Sequence, residues 1–387
     1  MLALAGLAIA AFALRPQVVG VGPILERIRD DLGMSHGAAG LLATIPVLCM
    51  GIFAPPAAYL AARVGAGRAV TVALLLIGVG GLLRAVAPGA SLLILLTIPI
   101  GIGMGMGNAL MPVAVKERFA SQALRATSIY AVGIQIGATA AAALAVPLAD
   151  LGSGDDGWRL ALGVFSLSTF VCLAVWVLLN RHEGAPRPAR AAPPPRLPWR
   201  SHGAWLIAVM FLLVTILFYG LGAWLPDILV EDGWSESSGG AAIAVLNATT
   251  VGATILVGTI GTRARTRRQL LLPASCLLVV GTLGVAVAAD AGWLWAFVLG
   301  CGIGTMFPTM MTLPVDVANR PEAVGAVAGL MLLVGYVGAA PAPSAFGALR
   351  DLTGSYTATT WAMVAVAAAA VVVAGLASRE RLHRGVP

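Results

Sequence analysis

Charge is what this sequence has least of. Only 11% of its 387 residues are Asp, Glu, Lys or Arg, against roughly 25% in an ordinary soluble domain. With 59% hydrophobic residues, the chain has too few polar groups to cover its own surface in water. A soluble globular fold is excluded, and lipid must act as the outer solvent. Metal-ligating residues are just as sparse. The chain has four histidines and four cysteines. Cys49, Cys172, Cys276 and Cys301 all fall in apolar runs at no ligand spacing, which reads as small buried hydrophobes. No His/Cys cluster suits zinc or haem. The glycine row Gly101, Gly103, Gly105 and Gly107 lacks the Lys and Ser/Thr that close a phosphate-cradling loop, which argues against ATP drive. No Ser–His pair within a span suggests a hydrolase. Neither an enzyme nor a cofactor is expected. The formal charge of +7 sits in loops without interleaved aromatics or a DNA- or RNA-binding motif, which excludes a nucleic-acid partner and leaves attraction to anionic lipid.

What the chain does have is long apolar runs, and about 20 such residues span a bilayer as a helix. Strands of a β-barrel would be shorter and would alternate. Turn and charge signals predict twelve spans, at 2–25, 37–62, 69–86, 90–113, 123–150, 159–179, 203–230, 237–261, 269–288, 291–314, 322–349 and 355–377. The first is expected to be helix 1 and not a secretion signal, because no basic start and no small-residue cleavage site accompany it. A polar, basic stretch containing Pro186, Pro188 and Pro193 to Pro195 cannot stay helical and reads as a linker. The predicted organisation is a six-helix bundle over 1–180, a cytoplasmic linker over 181–202 and a second six-helix bundle over 203–387.

Lys and Arg set the orientation. Arg63, Arg68, Lys116, Arg118, Arg125, the linker arginines, Arg263, Arg265, Arg267, Arg268, Arg320 and the C-terminal arginines fall on one side. Arg27, Arg29, Arg84, Arg159 and Arg350 fall on the other, together with most of the acids. The positive-inside rule places both termini in the cytoplasm of an inner (plasma) membrane. The two halves also repeat at an offset of about 200 residues. Gly33 and Ser35 meet Gly233 and Ser235, and Arg63 and Arg68 meet Arg263 and Arg268. Gly101, Gly103 and Gly105 meet Gly300, Gly302 and Gly304. Parallel six-helix repeats are a transporter plan, with the site near mid-membrane.

Several segments resemble one branch of the major facilitator superfamily, the cyanate/nitroimidazole porters. Leu14, Arg15 and Pro16, followed by Val21 to Leu25, look like the helix 1 pattern of that branch. Gly105, Gly107 and Asn108 with Pro112 and Lys116 are similar to its helix 4. Phe218 to Gly220 with Trp224 to Pro226 are similar to its helix 7, and Val334 to Tyr336 with Asp351 to Ser355 to the end of its helix 11. The resemblance implies two bundles related by a pseudo-two-fold axis and alternating access. It also implies small, often anionic or nitro-aromatic cargo. One departure concerns the gating loops at Arg63 and Arg68 and at Arg263 and Arg268. Ala62 stands where the superfamily usually carries Asp, so the usual latch lacks its acid.

Arg15 is the sharpest candidate. It lies about 21 Å along helix 1 from Met1 at about 1.5 Å per residue, too far for its side chain to reach either surface. A charge at that depth costs about 2.5–3.5 kcal/mol or more and persists where a cavity or partner compensates. Its planar fork suits carboxylate-like, nitro or cyanate groups, and Pro16 beside it breaks the helix ladder. No Asp or Glu lies mid-span in either half, which favours an anion as the cargo. Tyr219 and Trp224 are candidate stacking walls, provided that Gly220 and Gly222 loosen the helix between them. Asn108, Tyr130, Gln135, Asn247 and Tyr336 are candidate polar or aromatic contacts whose alternative is interhelical packing. Gln17, two residues from Arg15, points elsewhere on a regular helix. The expected function is transport of a small organic or pseudohalide anion or nitro-aromatic solute by a monomer in the lipid bilayer. The rivals are a broad drug exporter, which would favour an acidic residue in the cavity, and a receptor or scaffold that moves nothing.

Overall fold

A computed structural model describes residues 2–34, 36–152, 154, 156–180, 196–261, 264, 266–318 and 320–383, and these residues contain helices and turns but no strand. Residues 181–195 of the expected linker, and Arg263, lie outside the described residues. Contacts divide the chain into two compact units. One comprises Met1–Ser121, Ile129–Leu197 and Pro321–Gly329, and the other Gln122–Ser128, Pro198–Arg320 and Leu330–Pro387.

In the first unit, α1 (Leu2–Phe12) and α2 (Pro16–Val19) make a broken first span, which the charged α3 (Leu25–Asp31) follows. They are followed by α4 (His36–Ile52), α5 (Ala54–Val64), α6 (Ala66–Ala85), α7 (Ala90–Phe119), most of α8 (Ala123–Asp150) and α9 (Trp158–Asn180). The second unit holds α10 (His202–Glu231), α11 (Glu236–Ile260), α12 (Arg268–Val287), α13 (Gly292–Val317), much of α14 (Pro321–Ala339), α15 (Ala342–Thr353), α16 (Thr357–Leu376) and the short α17 (Arg379–His383).

Ten stretches are long and apolar enough to cross a bilayer, and α4 with α5, bent by 51°, makes an eleventh. One of the ten, Ala90–Asp150, is 61 residues long. A 3-10 turn at Ala120–Gln122 divides it into helices of 30 and 28 residues, each sufficient for a crossing. Counted so, the described residues hold twelve spans, as the hydropathy pattern predicts. Two spans expected to be continuous are not. The second breaks at Phe53, ahead of Pro55 and Pro56, and the eleventh breaks ahead of Pro341 and runs on to Thr353. In both cases proline withholds the N–H that would continue the ladder.

The sequence repeat has a physical basis in each unit. After α3, Met34 N–H donates to Arg29 O at 2.8 Å and Gly33 N–H to Asp30 O at 3.4 Å. After α10, Trp234 N–H donates to Leu229 O at 3.0 Å and Gly233 N–H to Val230 O at 3.0 Å. Both helices therefore end in the same two-bond cap, and its turn needs a positive φ, +59° at Gly33 and +94° at Gly233. The glycine triplets match as well. Gly101 and Gly105 lie against Cys49 and Met50 of α4, whereas Gly103 faces the Ala73 carbonyl of α6. In the other unit Gly300 and Gly304 lie against the Leu246 and Thr250 carbonyls of α11, and Gly302 faces Leu278 and Ala274 of α12. Spacing of four puts two glycines on one helix face and the intervening one on the other. So α7 and α13 can each be pressed from two sides at backbone distance. These glycines serve packing inside each unit.

Gly304→Ala should therefore lower unfolding stability by about 1–3 kcal/mol, because its Cβ meets the backbone of Thr250. Gly222→Ala, with nothing within 4 Å of the added carbon, should stay within about 0.5 kcal/mol. Chemical unfolding in mixed micelles measures both.

Candidate functional site

The first span is interrupted where the sequence places Arg15. Pro16 has no N–H to offer Phe12 O, and the chain tightens. Leu14 N–H turns to Ala11 O at 3.2 Å, and Arg15 N–H reaches Phe12 O at only 3.5 Å. Arg15 caps the single-turn α2, with Pro16 at its first position, and is half-buried. Val18 and Val19 N–H both donate to the Arg15 carbonyl at 3.1 Å, so Arg15 and α2 form one rigid turn.

Two helices of the same unit close on this break. On α8, a Cβ at Gly133 would land on the Ala8 carbonyl and one at Gly137 on the Phe12 carbonyl. On α7, a Cβ at Gly107 would land on the Leu14 side chain. Asn108 follows Gly107 directly. It is 4% exposed, and its Nδ2 has no hydrogen-bond partner among the described residues. Gln135, half-buried, lies between the two contact glycines of α8, and Tyr130, fully buried, precedes them by one turn. Arg15, Asn108, Gln135 and Tyr130 thus sit on three elements that meet at the break. An apolar groove of 310 Å³ on α6 and α7, lined by Leu75, Val79, Leu83 and Pro99 among others, offers no polar group to an anion.

The sequence reading missed the polar network on the other side of α2. Arg84, assigned to the outer side with the other arginines there, is in the last turn of α6 and 0% exposed. Its Nη2 donates to Gln17 Oε1 at 2.9 Å and to the Gln17 carbonyl oxygen. Gln17, also 0% exposed, passes the contact on, with Nε2 donating to Ser166 Oγ at 2.7 Å and to Leu162 O at 3.2 Å on α9. The only signal in the sequence was an arginine closing an apolar run one turn after Gly81. Hydropathy cannot tell whether such a residue leaves the membrane or turns inward.

The remaining candidates belong to the other unit and do not converge. Unbroken α10 passes through Gly220, which packs on Phe346, and through Gly222. Without loosening there, Tyr219 and Trp224 lie about 140° apart around the helix at 3.6 residues per turn. Tyr219 is half-buried and meets Phe218 edge-on at 5.3 Å. Trp224 donates from Nε1 to Pro343 O at 2.8 Å and packs on Tyr356 and at Gly347. Tyr336 is 2% exposed, perpendicular to Phe211 at 5.4 Å, within an aromatic core. Asn247 is half-buried on α11.

Of the loop arginines, Arg63, Arg68 and Arg268 are exposed, and Arg63 stacks over Tyr59 at 4.3 Å. The described ion pair in that part of the second unit is one residue earlier. Arg267 at the start of α12 holds Asp316 of α13 with a forked contact, Nε to Oδ2 at 2.6 Å and Nη2 to Oδ1 at 3.2 Å.

Comparison with known proteins is consistent with this architecture. The family model described as Major Facilitator Superfamily matches residues 6–343. The cyanate transport protein CynX of Escherichia coli K12 is 30% identical over 344 residues, 89% of this chain and 88% of that protein. The 2-nitroimidazole transporter of the same organism is 28% identical over 355 residues, 92% of this chain and 89% of that one. In solved structures, the E. coli fucose:proton symporter FucP superposes with a TM-score of 0.77 at 14% identity, covering 98% of this chain and 99% of that one.

Outside the spans, burial pushes the Asp232 carboxyl up from its ordinary range, and the charges of Glu231 and Asp290 push it further. A carboxyl raised in the native state favours folding while it is protonated. That contribution fades as pH climbs through the raised value. Asp232→Asn should therefore raise the unfolding temperature at pH 7. The gain should vanish below about pH 4, where an ordinary Asp is also protonated. Thermal scans at the two pH values compare them.

Proposed function

The chain belongs to the major facilitator superfamily and is a membrane transporter, and from that premise we propose that it moves a small organic or pseudohalide anion, or a nitro-aromatic solute, by alternating access. Arg15 binds the electronegative end of the solute. The observation that carries this reading is the broken turn at Ala13 to Arg15. It holds a half-buried Arg15 inside an apolar span, where α8 approaches the backbone closely enough to exclude all but glycine and Gly107 of α7 lies against the Leu14 side chain. A guanidinium keeps its proton and presents a flat fork of donors, a match for cyanate, nitro or carboxylate oxygens. The Nδ2 of Asn108, on the adjoining face of α7 and without a hydrogen-bond partner among the described residues, adds a neutral donor. The names carried by the two E. coli relatives, cyanate and 2-nitroimidazole transporters, fall in the same chemical range. Energy coupling is secondary active or facilitative. Both termini face the cytoplasm at the inner membrane, a reading that the positive-inside distribution supports.

Uptake of labelled cyanate and 2-nitroimidazole into proteoliposomes tests the reading. Arg15→Ala should cut uptake of the accepted solute about thirtyfold or more, the equivalent of losing a buried charge contact of about 2 kcal/mol or greater. Wild-type rates from folded Arg15→Ala protein would sink the anion-binding role. Binding without flux in the wild type would instead favour a receptor.

A further inference from the structure

We propose that Arg84 is a positioning residue. It clamps the broken turn of the first span onto α6 and α9, and so fixes where the Arg15 guanidinium stands. This rests on the reading of Arg15 as the solute-binding cation.

At the end of α2 the backbone cannot satisfy all its own groups. Gly20 N–H goes to Pro16 O at 3.1 Å and Val21 N–H to Val18 O at 3.2 Å. The Gln17 carbonyl takes the Nη2 of Arg84. The same nitrogen holds the Gln17 side-chain oxygen. One guanidinium nitrogen therefore grips Gln17 at two points, and the Gln17 amide nitrogen reaches across to Ser166 and Leu162. Ser166 in turn donates to Leu162 O at 2.8 Å, which orients its oxygen to accept from Gln17. The helices make room for this chain of bonds. A Cβ at Gly81 would land on the Gln17 amide, and one at Gly20 on the Phe165 ring.

α2 is only four residues long, and the Arg15 carbonyl is bonded to its Val18 and Val19 N–H groups. Holding Gln17 therefore holds the whole turn, with Arg15 two residues away. A neutral donor could cap a carbonyl as well. An arginine adds a charge-assisted bond, about twice as strong as a neutral one. Arg84 has no carboxylate contact among the described residues, and its Nε and Nη1 have no hydrogen-bond partner there. A buried cation set this way is costly, so stability by itself does not account for it. An exact seat for a solute-binding group does, because misplacement by about 1 Å can cost about a hundredfold in a positioned reaction.

The test uses purified full-length protein and two readouts. Amide hydrogen exchange reports the clamp without any solute. Arg84→Met and Gly81→Ala should each speed exchange at residues 13–21 by about tenfold or more, with α12 and α13 unchanged. The double variant Arg84→Met with Gln17→Met should add little to Arg84→Met alone, since both remove one clamp. Unchanged exchange at 13–21 in folded Arg84→Met overturns the proposal. The second readout is uptake kinetics with cyanate and with 2-nitroimidazole. Loss of the clamp should raise KM about tenfold or more at little change in maximal rate per folded molecule, and Arg84→Lys should restore part of it. A fall in maximal rate with KM unchanged assigns Arg84 a structural role only and overturns the positioning claim. If Arg84→Met does not fold, Ser166→Ala, which leaves Leu162 O as an acceptor, should show the same KM shift in smaller measure, and no shift counts against the proposal. Wild-type protein that moves neither solute sinks the proposed function, while the exchange measurement still decides the clamp.

Discussion

Every break in a membrane helix exposes backbone groups to a solvent that cannot hydrogen-bond them, so each must find a partner inside the protein. This constraint organises the first unit. Pro16 opens the ladder at Phe12, and the surroundings respond on both sides. The glycines of α8 bring a second backbone against the Ala8 and Phe12 carbonyls, and Arg84 supplies the donor that the Gln17 carbonyl takes. A proline, a pair of glycines and a buried arginine, far apart in the chain, are parts of one local solution.

The same economy of space governs both units. Without a hydrophobic drive between helices in lipid, close backbone approach and dispersion hold them together. The alternating glycines of α7 and of α13 let each helix be packed from two directions, and the same cap ends α3 and α10. Gly81 gives room to the Gln17 amide that Arg84 holds, and Gly107 to the Leu14 side chain.

The candidate site divides in an instructive way. Arg15, Asn108, Gln135 and Tyr130 were chosen from residue type and depth, and they lie on elements that converge at the break. Tyr219 and Trp224 were paired on the premise that Gly220 and Gly222 loosen their helix. That premise failed because Gly220 is occupied by Phe346, and packing at that face keeps α10 regular. Arg84 escapes the sequence for a related reason. A charged residue at the end of an apolar run looks the same in sequence whether it exits to water or folds inward. The Arg267–Asp316 pair was equally invisible, being separated by 49 positions.

The linear pattern was sufficient for the membrane setting, the number of spans, the internal repeat and the place where the first span breaks. Each of these depends on stretches of about 20 residues or less, or on a proline's missing N–H, and such short-range features leave their mark directly in the order of residues. Only the tertiary structure decided which arginine is buried, what Gln17 holds and which glycines face a backbone. Those outcomes depend on donors and acceptors that meet across 67 to 149 positions of chain, and no local pattern specifies which helix will lie against which.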